Sequence, residues 1–96
     1  MGFKINFTEP SLEDLAEVVS YSDLYFPTTP ESMALQIVDH IELLSLYPRL
    51  GANIATPSQI RKMVHSPFSI YYKVFEPQQR IDILHIWHGS RRSPKL

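Results

Sequence analysis

IRKMVHSPFSIYYKVFEPQQRIDILHIWHGSRR, residues 60–92, is the stretch that decides the fold. It holds three short apolar runs, Ile60 to His65, Phe68 to Phe75 and Ile81 to Trp87, and then stops on His88-Gly89-Ser90-Arg91-Arg92. Turn formers separate the runs: Ser66-Pro67 first, then Glu76-Pro77-Gln78-Gln79. Runs of this kind read as strands, and strands joined by tight connections pair antiparallel. The stretch predicts a three-stranded antiparallel meander that delivers an arginine pair to one end of a sheet. In the middle strand Phe68, Ile70, Tyr72 and Val74 share one face, while Ser69, Tyr71, Lys73 and Phe75 share the other. The last strand is apolar on both sides, with Ile81, Ile83 and Trp87 on one and Leu84 and Ile86 on the other. A strand like that is normally central and covered on both faces.

Upstream, Phe3, Ile5 and Phe7 alternate with Lys4, Asn6 and Thr8, the pattern of a strand with one buried face. Pro10 suits a helix start, and Leu12, Leu15, Ala16 and Val19 fall on one stripe of that helix. Glu9, Glu13 and Asp14 lie near its N-terminus, where the dipole favours negative charge. The segment Tyr25 to Pro30 breaks it; Thr29 then reads as an N-cap with Pro30 in the first helical position. Ala34, Ile37, Val38, Ile41 and Leu44 form a second stripe, which Pro48 and Gly51 terminate. Arg49 to Ser58 reads as a loop. The order predicts an α+β fold: an N-terminal strand, a helical hairpin and the meander, with the helices on one face of a small, largely antiparallel sheet. A hairpin covers one face only. Either the sheet curls around its own core, or another chain, a macromolecular partner or a second copy, covers the other face.

Length and composition set the frame. The 96 residues make one domain with one modest core, 1–96, and 44% hydrophobic residues is ordinary for a globular chain. Only the short end after Arg92 reads as unstructured. No stretch is apolar enough to span a bilayer and no signal peptide is visible, so a cytoplasmic location is the expectation. Zero cysteines exclude disulfides and thiolate metal sites. A zinc site from His40, His65, His85 and His88 is not expected, because their spacing fits no metal motif, so neither a metal nor another cofactor is assigned. Charge is divided unevenly. Residues 1–58 carry two basic against eight acidic side chains, −6, and residues 59–96 carry seven against two, +5. A cationic sheet favours an anionic partner; the alternative is that the halves neutralise each other.

Several segments resemble the RelE/ParE superfamily of small bacterial toxins from type II toxin–antitoxin systems. Leu46-Tyr47-Pro48-Arg49-Leu50-Gly51 is similar to the family's leucine–aromatic–proline turn after the hairpin. Arg61 and Tyr71-Tyr72 follow on successive strands, and Ile83 to Arg91 resembles the ParE-type ending, an apolar strand closed by His-Gly-x-Arg. The resemblance implies an antiparallel sheet packed on a helical hairpin. It implies a cognate antitoxin whose disordered segment wraps the toxin and covers the bare face. It implies one of two targets: DNA gyrase, poisoned by the ParE branch, whose members include plasmid stabilisation proteins, or mRNA in the ribosomal A site, cleaved by the RelE branch.

Cleavage of RNA by 2′-hydroxyl attack needs a proton acceptor, a donor and cations, which Arg, Lys, His and Tyr can supply without metal. For a nuclease the candidates are Arg61, Tyr71, His88 and Arg91, with His65, Lys73 and His85 nearby in type. Parity puts Arg61, Met63 and His65 on one face and separates His85 from His88, so no ordered triad emerges. His85 reads as a satisfied sheet residue, Gly89 as a positive-φ turn, and Arg61 as a partner for an acid such as Asp82. The tyrosine-bearing tail of many ribosome-dependent members is missing after Arg92. The resemblance of the ending to the ParE branch implies the favoured reading, a non-enzymatic, gyrase-directed toxin that meets target or antitoxin through Arg61, Tyr71, Lys73, Trp87, His88, Arg91 and Arg92. The alternatives are a metal-independent, ribosome-dependent endoribonuclease, or a non-toxic homologue that acts only as a binding module.

Overall fold

The structure, a computed structural model, describes residues 2–25, 30–55, 59–92, 94 and 96. Its elements run β1 (Lys4–Phe7), α1 (Glu9–Tyr25), α2 (Pro30–Glu42), a 3₁₀ turn (Leu43–Ser45), β2 (Ala52–Ala55), β3 (Ile60–His65), β4 (Phe68–Phe75) and β5 (Arg80–His88). They build the anticipated α+β architecture, a helical hairpin on one face of a five-stranded sheet ordered β1-β5-β4-β3-β2. All neighbours are antiparallel except β1, which runs parallel to β5. Among the described residues no helix is long and apolar enough to cross a membrane. Thr29, read as the cap of α2, lies outside the described residues.

The meander forms where the turn formers place it. Ile37, Ile41 and Leu44 from α2 and its 3₁₀ turn are fully buried against Ile70, Tyr72, Ile81 and Ile83 of the sheet. Four expectations need correction. The first concerns the 49–58 loop, which contains β2, a four-residue edge strand pairing with β3. The second is the stripe of α1. Leu12 is 51% exposed, and the buried positions are Ser11, Asp14 and Val18, with Leu15 and Tyr21 packed beside them. The helix is rotated because polar groups on it are needed at the sheet. Among the described residues no strand pairs with the outer edge of β5 beyond Ile83, and α1 takes that place: Asp14 Oδ2 accepts the Ile86 N–H at 3.0 Å. Thr8 caps the helix, its Oγ1 accepting the Ser11 N–H while donating to the Ile83 carbonyl at 2.6 Å.

Third, Trp87 does not share a face with Ile81 and Ile83. The register passes from Tyr72↔Ile83 to Tyr71↔His85, so Leu84 is an extra residue in β5, a β-bulge. The bulge flips parity: Ile86 joins Ile81 and Ile83 toward the helices, and Trp87 joins His85 on the other face. The fourth concerns the end after Arg92, of which only Pro94 and Leu96 are described. The Trp87 indole N–H donates to the Arg92 carbonyl, Pro94 is buried, and Leu96 lies beside Leu84, His85 and Thr8. Arg92 is thus bonded to Trp87, on the face that was expected to be bare.

Candidate functional site

The ending of β5 is held in a definite shape. The Gly89 N–H donates to the Pro67 carbonyl at 2.7 Å, tying it to the β3–β4 turn. Gly89 has no positive φ, contrary to expectation; its role is closeness, since a Cβ there would stand 3.1 Å from the Pro67 oxygen. His88 Nδ1 accepts the Ser90 backbone N–H at 3.1 Å, with the Ser90 hydroxyl 2.6 Å away. In the neutral ring that bond puts the proton on Nε2. The imidazole packs edge-on against Phe68 and tilted against Tyr21, at centroid distances of 5.3 and 4.9 Å. Arg91 turns back over the Trp87 ring at 4.3 Å, and its Nη1 donates to Glu17 of α1 at 2.9 Å.

A cavity of about 500 Å³ opens between α1 and this ending. Asp14, Glu17 and Tyr21 form the helix side. Phe68, Ile86 and His88 form the sheet side, and Arg91 stands with Ser90 at the rim. Its floor is apolar, because Phe68 and Ile86 are buried core residues. Its helix wall is acidic. Asp14 is 8% exposed, and its Oδ2 receives both the Ile86 N–H and the His85 Nδ1–H, the latter at 2.8 Å. Its Oδ1 meets no donor among the described residues.

The face of the sheet away from the helices carries a second group of sites. Lys62 approaches the Tyr71 ring at 5.9 Å, Lys73 the Phe75 ring at 5.2 Å and Arg80 the same ring at 4.4 Å. Cations set over aromatic faces keep their charge toward solvent while the rings are shielded. Lys62 and Lys73 form no ion pair among the described residues, so this face stays cationic. The two charged halves neutralise each other in part, through Glu17–Arg91.

Arg61 belongs to neither group. It lies on the helix side with Met63, and its Nη1 donates to the Gly51 carbonyl at 2.6 Å, not to Asp82. Asp82 is instead bonded by Arg80 and Asn6. Beside Arg61, the fully buried Tyr72 donates its hydroxyl to the Pro48 carbonyl at 2.9 Å and accepts the Gly51 N–H at 2.8 Å. Burial raises the Tyr72 phenol above its usual range, against the smaller opposing effects of the Gly51 bond and the Arg61 charge. The leucine–aromatic–proline turn is thus clasped to the sheet. His40 and His65 also meet, Nδ1 to Nδ1 at 2.9 Å, while His85 and His88 point to opposite faces. Among the described residues no three candidate ligands gather for a metal.

Of the residues singled out by sequence, His88 and Arg91 come together at the cavity. Tyr71, Lys73 and Trp87 share the outer face, Arg61 sits on the opposite side of the sheet, and Arg92 is exposed with its carbonyl bound to Trp87. Asp14, Glu17 and Tyr21 were missed as site residues. One signal for them existed: Ser11, Asp14, Val18 and Tyr21 recur at helical spacing, a stripe disguised by its two polar members.

Residues 5–93 match the family model of the ParE toxin of the type II toxin–antitoxin system, parDE. Among solved structures, the chain resembles one from the chromosomal ParDE system of P. aeruginosa, with a TM-score of 0.76, 20% identity, and coverage of 90% of this chain and 95% of that one. It also resembles a chain of the RelBE2 toxin–antitoxin complex of Mycobacterium tuberculosis, with a TM-score of 0.71, 16% identity, and coverage of 92% and 99%. The isolated E. coli RelE toxin aligns with a TM-score of 0.67 and 15% identity over 94% of this chain and 87% of that one. No curated protein sequence matches the chain.

Proposed function

The chain belongs to the ParE toxin family of type II toxin–antitoxin systems, and from that premise we propose that it acts in the cytoplasm as a gyrase-directed toxin held inactive by a cognate antitoxin. On this reading residues 1–96 are one toxin domain that binds its target and catalyses nothing. The observation that carries the reading is the dispersal of the groups a nuclease would need. Arg61 is bonded to the Gly51 carbonyl on the helix side. Tyr71 is buried on the outer face, and His88 and Arg91 stand at the cavity on the far end of β5. His85, a further candidate base, is bonded to Asp14. A general base, a general acid and a cation must all lie within bonding reach of one phosphate. Here the four candidates do not lie together: Arg61 and Tyr71 are on opposite faces of the sheet, and only His88 and Arg91 meet, at the cavity. A binding protein has no such requirement: it needs anchors at its surface, and the exposed Arg91, the half-buried Trp87 and the half-buried lysines over Tyr71 and Phe75 supply them.

The antitoxin reading is supported by the solved ParDE and RelBE relatives and by the cationic outer face, which suits an acidic wrapping segment. Two assays on purified protein test the target. Supercoiling by gyrase should be inhibited, and mRNA on programmed ribosomes should remain intact. Cleaved mRNA with gyrase unaffected would overturn the proposal in favour of the endoribonuclease. Normal growth on expression without antitoxin would leave only the non-toxic binding module.

A further inference from the structure

The cavity between α1 and the end of β5 has a chemistry that the charge pattern of the sequence did not announce. The basic half of the chain invites an acidic partner, yet this cavity is acidic on one wall. Asp14 is nine-tenths buried as a side chain and has an oxygen, Oδ1, with no donor among the described residues. A carboxylate in so buried a side chain gains from each further donor, and a ligand N–H at Oδ1 would supply one. Glu17 stands one helical turn further on the same wall. The Tyr21 ring stands on this wall too, and opposite are the rings of Phe68 and His88 over the side chain of Ile86. The combination of carboxylate, aromatic walls and an apolar floor fits a planar cation on an apolar stem.

The chain shows how such a group is accepted. At the rim, the guanidinium of Arg91 is stacked on Trp87 and bonded to Glu17. It stops there, however, since it makes no ion pair with Asp14. We propose that the cavity receives an arginine side chain from the antitoxin segment, its guanidinium donating to Asp14 Oδ1 and Glu17 and its stem lying against Tyr21 and Ile86. Only the source of the arginine rests on the toxin–antitoxin reading. The preference for a planar cation is a property of the cavity alone. An arginine is favoured over lysine because a flat guanidinium can stack and bond at once, whereas an ammonium cannot.

Benzamidine and its neutral isostere benzamide separate charge from shape. Titrated into the full chain and followed by NMR, benzamidine should saturate with shifts concentrated at Tyr21, Ile86 and His88, and should bind at least about tenfold tighter than benzamide. Asp14→Asn should remove about that factor. Because Asp14 also holds the Ile86 amide and could unsettle the fold, Glu17→Gln, at an exposed site, provides a second reading with a loss of about threefold. Arg91→Ala, which frees Glu17, should tighten benzamidine binding. Equal affinity for benzamide, shifts elsewhere on the molecule, or unchanged binding in Glu17→Gln and Arg91→Ala would overturn the inference. Growth arrest on expression is scored separately. Arrest without benzamidine binding removes the cavity inference alone. Benzamidine binding without arrest removes the toxin reading and leaves the cavity standing.

Discussion

Two corners of the molecule are built from the same kinds of residue and behave differently. At the turn that follows the hairpin, an arginine, a tyrosine and a glycine interlock: Arg61 bonds the Gly51 carbonyl, and Tyr72 bonds both the Gly51 N–H and the Pro48 carbonyl. At the end of β5 another arginine, tyrosine and glycine gather, Arg91, Tyr21 and Gly89, together with His88 and two carboxylates. The first corner is closed. Tyr72 is wholly buried and its hydroxyl has both a donor and an acceptor inside the chain. The second is open. The side chains of Arg91 and Glu17 are 48% and 63% exposed, and Asp14 keeps an oxygen without a donor among the described residues. Residue type alone does not separate scaffold from site; the completeness of the local hydrogen bonding does.

The sharpest way to break this contrast is to disturb the closed corner. Gly51→Ala would put a Cβ 2.8 Å from the Lys62 carbonyl oxygen and 2.9 Å from the Tyr72 ring, so backbone must shift. We expect a loss of about 3 kcal/mol in urea unfolding. Tyr72→Phe keeps the ring and deletes the hydroxyl, leaving a buried N–H and a carbonyl unanswered; about 2 kcal/mol should be lost. If Tyr72→Phe unfolds at the wild-type urea midpoint, the corner is not the clasp described here.

The closed corner was also the more legible of the two, and the reasons are local. Its turn carries Pro48 and Gly51 in sequence, and α2 displays its buried stripe openly in Ile37, Ile41 and Leu44. The three meander strands were bounded by strong turn formers. β2 escaped notice because Ala52-Asn53-Ile54-Ala55 has one β-branched residue and no alternation. The bulge at Leu84 left no trace, since β5 is apolar in either parity. Arg61 was read as a candidate contact because its acceptor is a backbone carbonyl, which no sequence pattern marks. At the open corner the chemistry of His88 and Arg91 was visible, but their partners lie on α1; Glu17 is 74 positions from Arg91. The rotation of α1 that brings Asp14 and Glu17 there follows from the unpaired edge of β5, a tertiary demand that overrides the apparent Leu12–Ala16 stripe.

A third pair tests whether closure can be titrated. His40 in the last turn of α2 meets His65 at the end of β3. Burial, and then the nearby charge of His40, lower the His65 pKa below the ordinary value. The sign follows from linkage. Between the folded value and about 6.5 the unfolded chain binds the proton more readily, so stability is full above about pH 6.5 and is lost as pH falls through the folded value. Unfolding midpoints measured from pH 7.5 to pH 5 should therefore fall in wild type, by less than the two losses above. His65→Gln should flatten that fall, with wild type and variant compared at each pH so that other titrating groups cancel. Parallel curves for the two proteins would show that the histidine pair does not govern acid sensitivity.

The smallest expected effect on stability is the most telling one for function. Arg91→Ala removes an exposed ion pair to Glu17 and a stack on Trp87. Exposed pairs of this kind contribute little, because solvent screens the charges and the long side chains lose freedom. Stability should change by no more than about 0.5 kcal/mol, and the Ile86 and Gly89 amides, held by Asp14 and Pro67, should keep their exchange protection. Growth arrest, on the proposed reading, should be abolished all the same, since Arg91 is presented to a partner while the fold is held by other bonds. A loss above about 1.5 kcal/mol would make the open corner a second clasp and erase the distinction between the two. Full growth arrest in a variant of unchanged stability would leave the corner open but unused by the target, and would move the search for the contact surface to Trp87 and the lysine–aromatic pairs of the outer face.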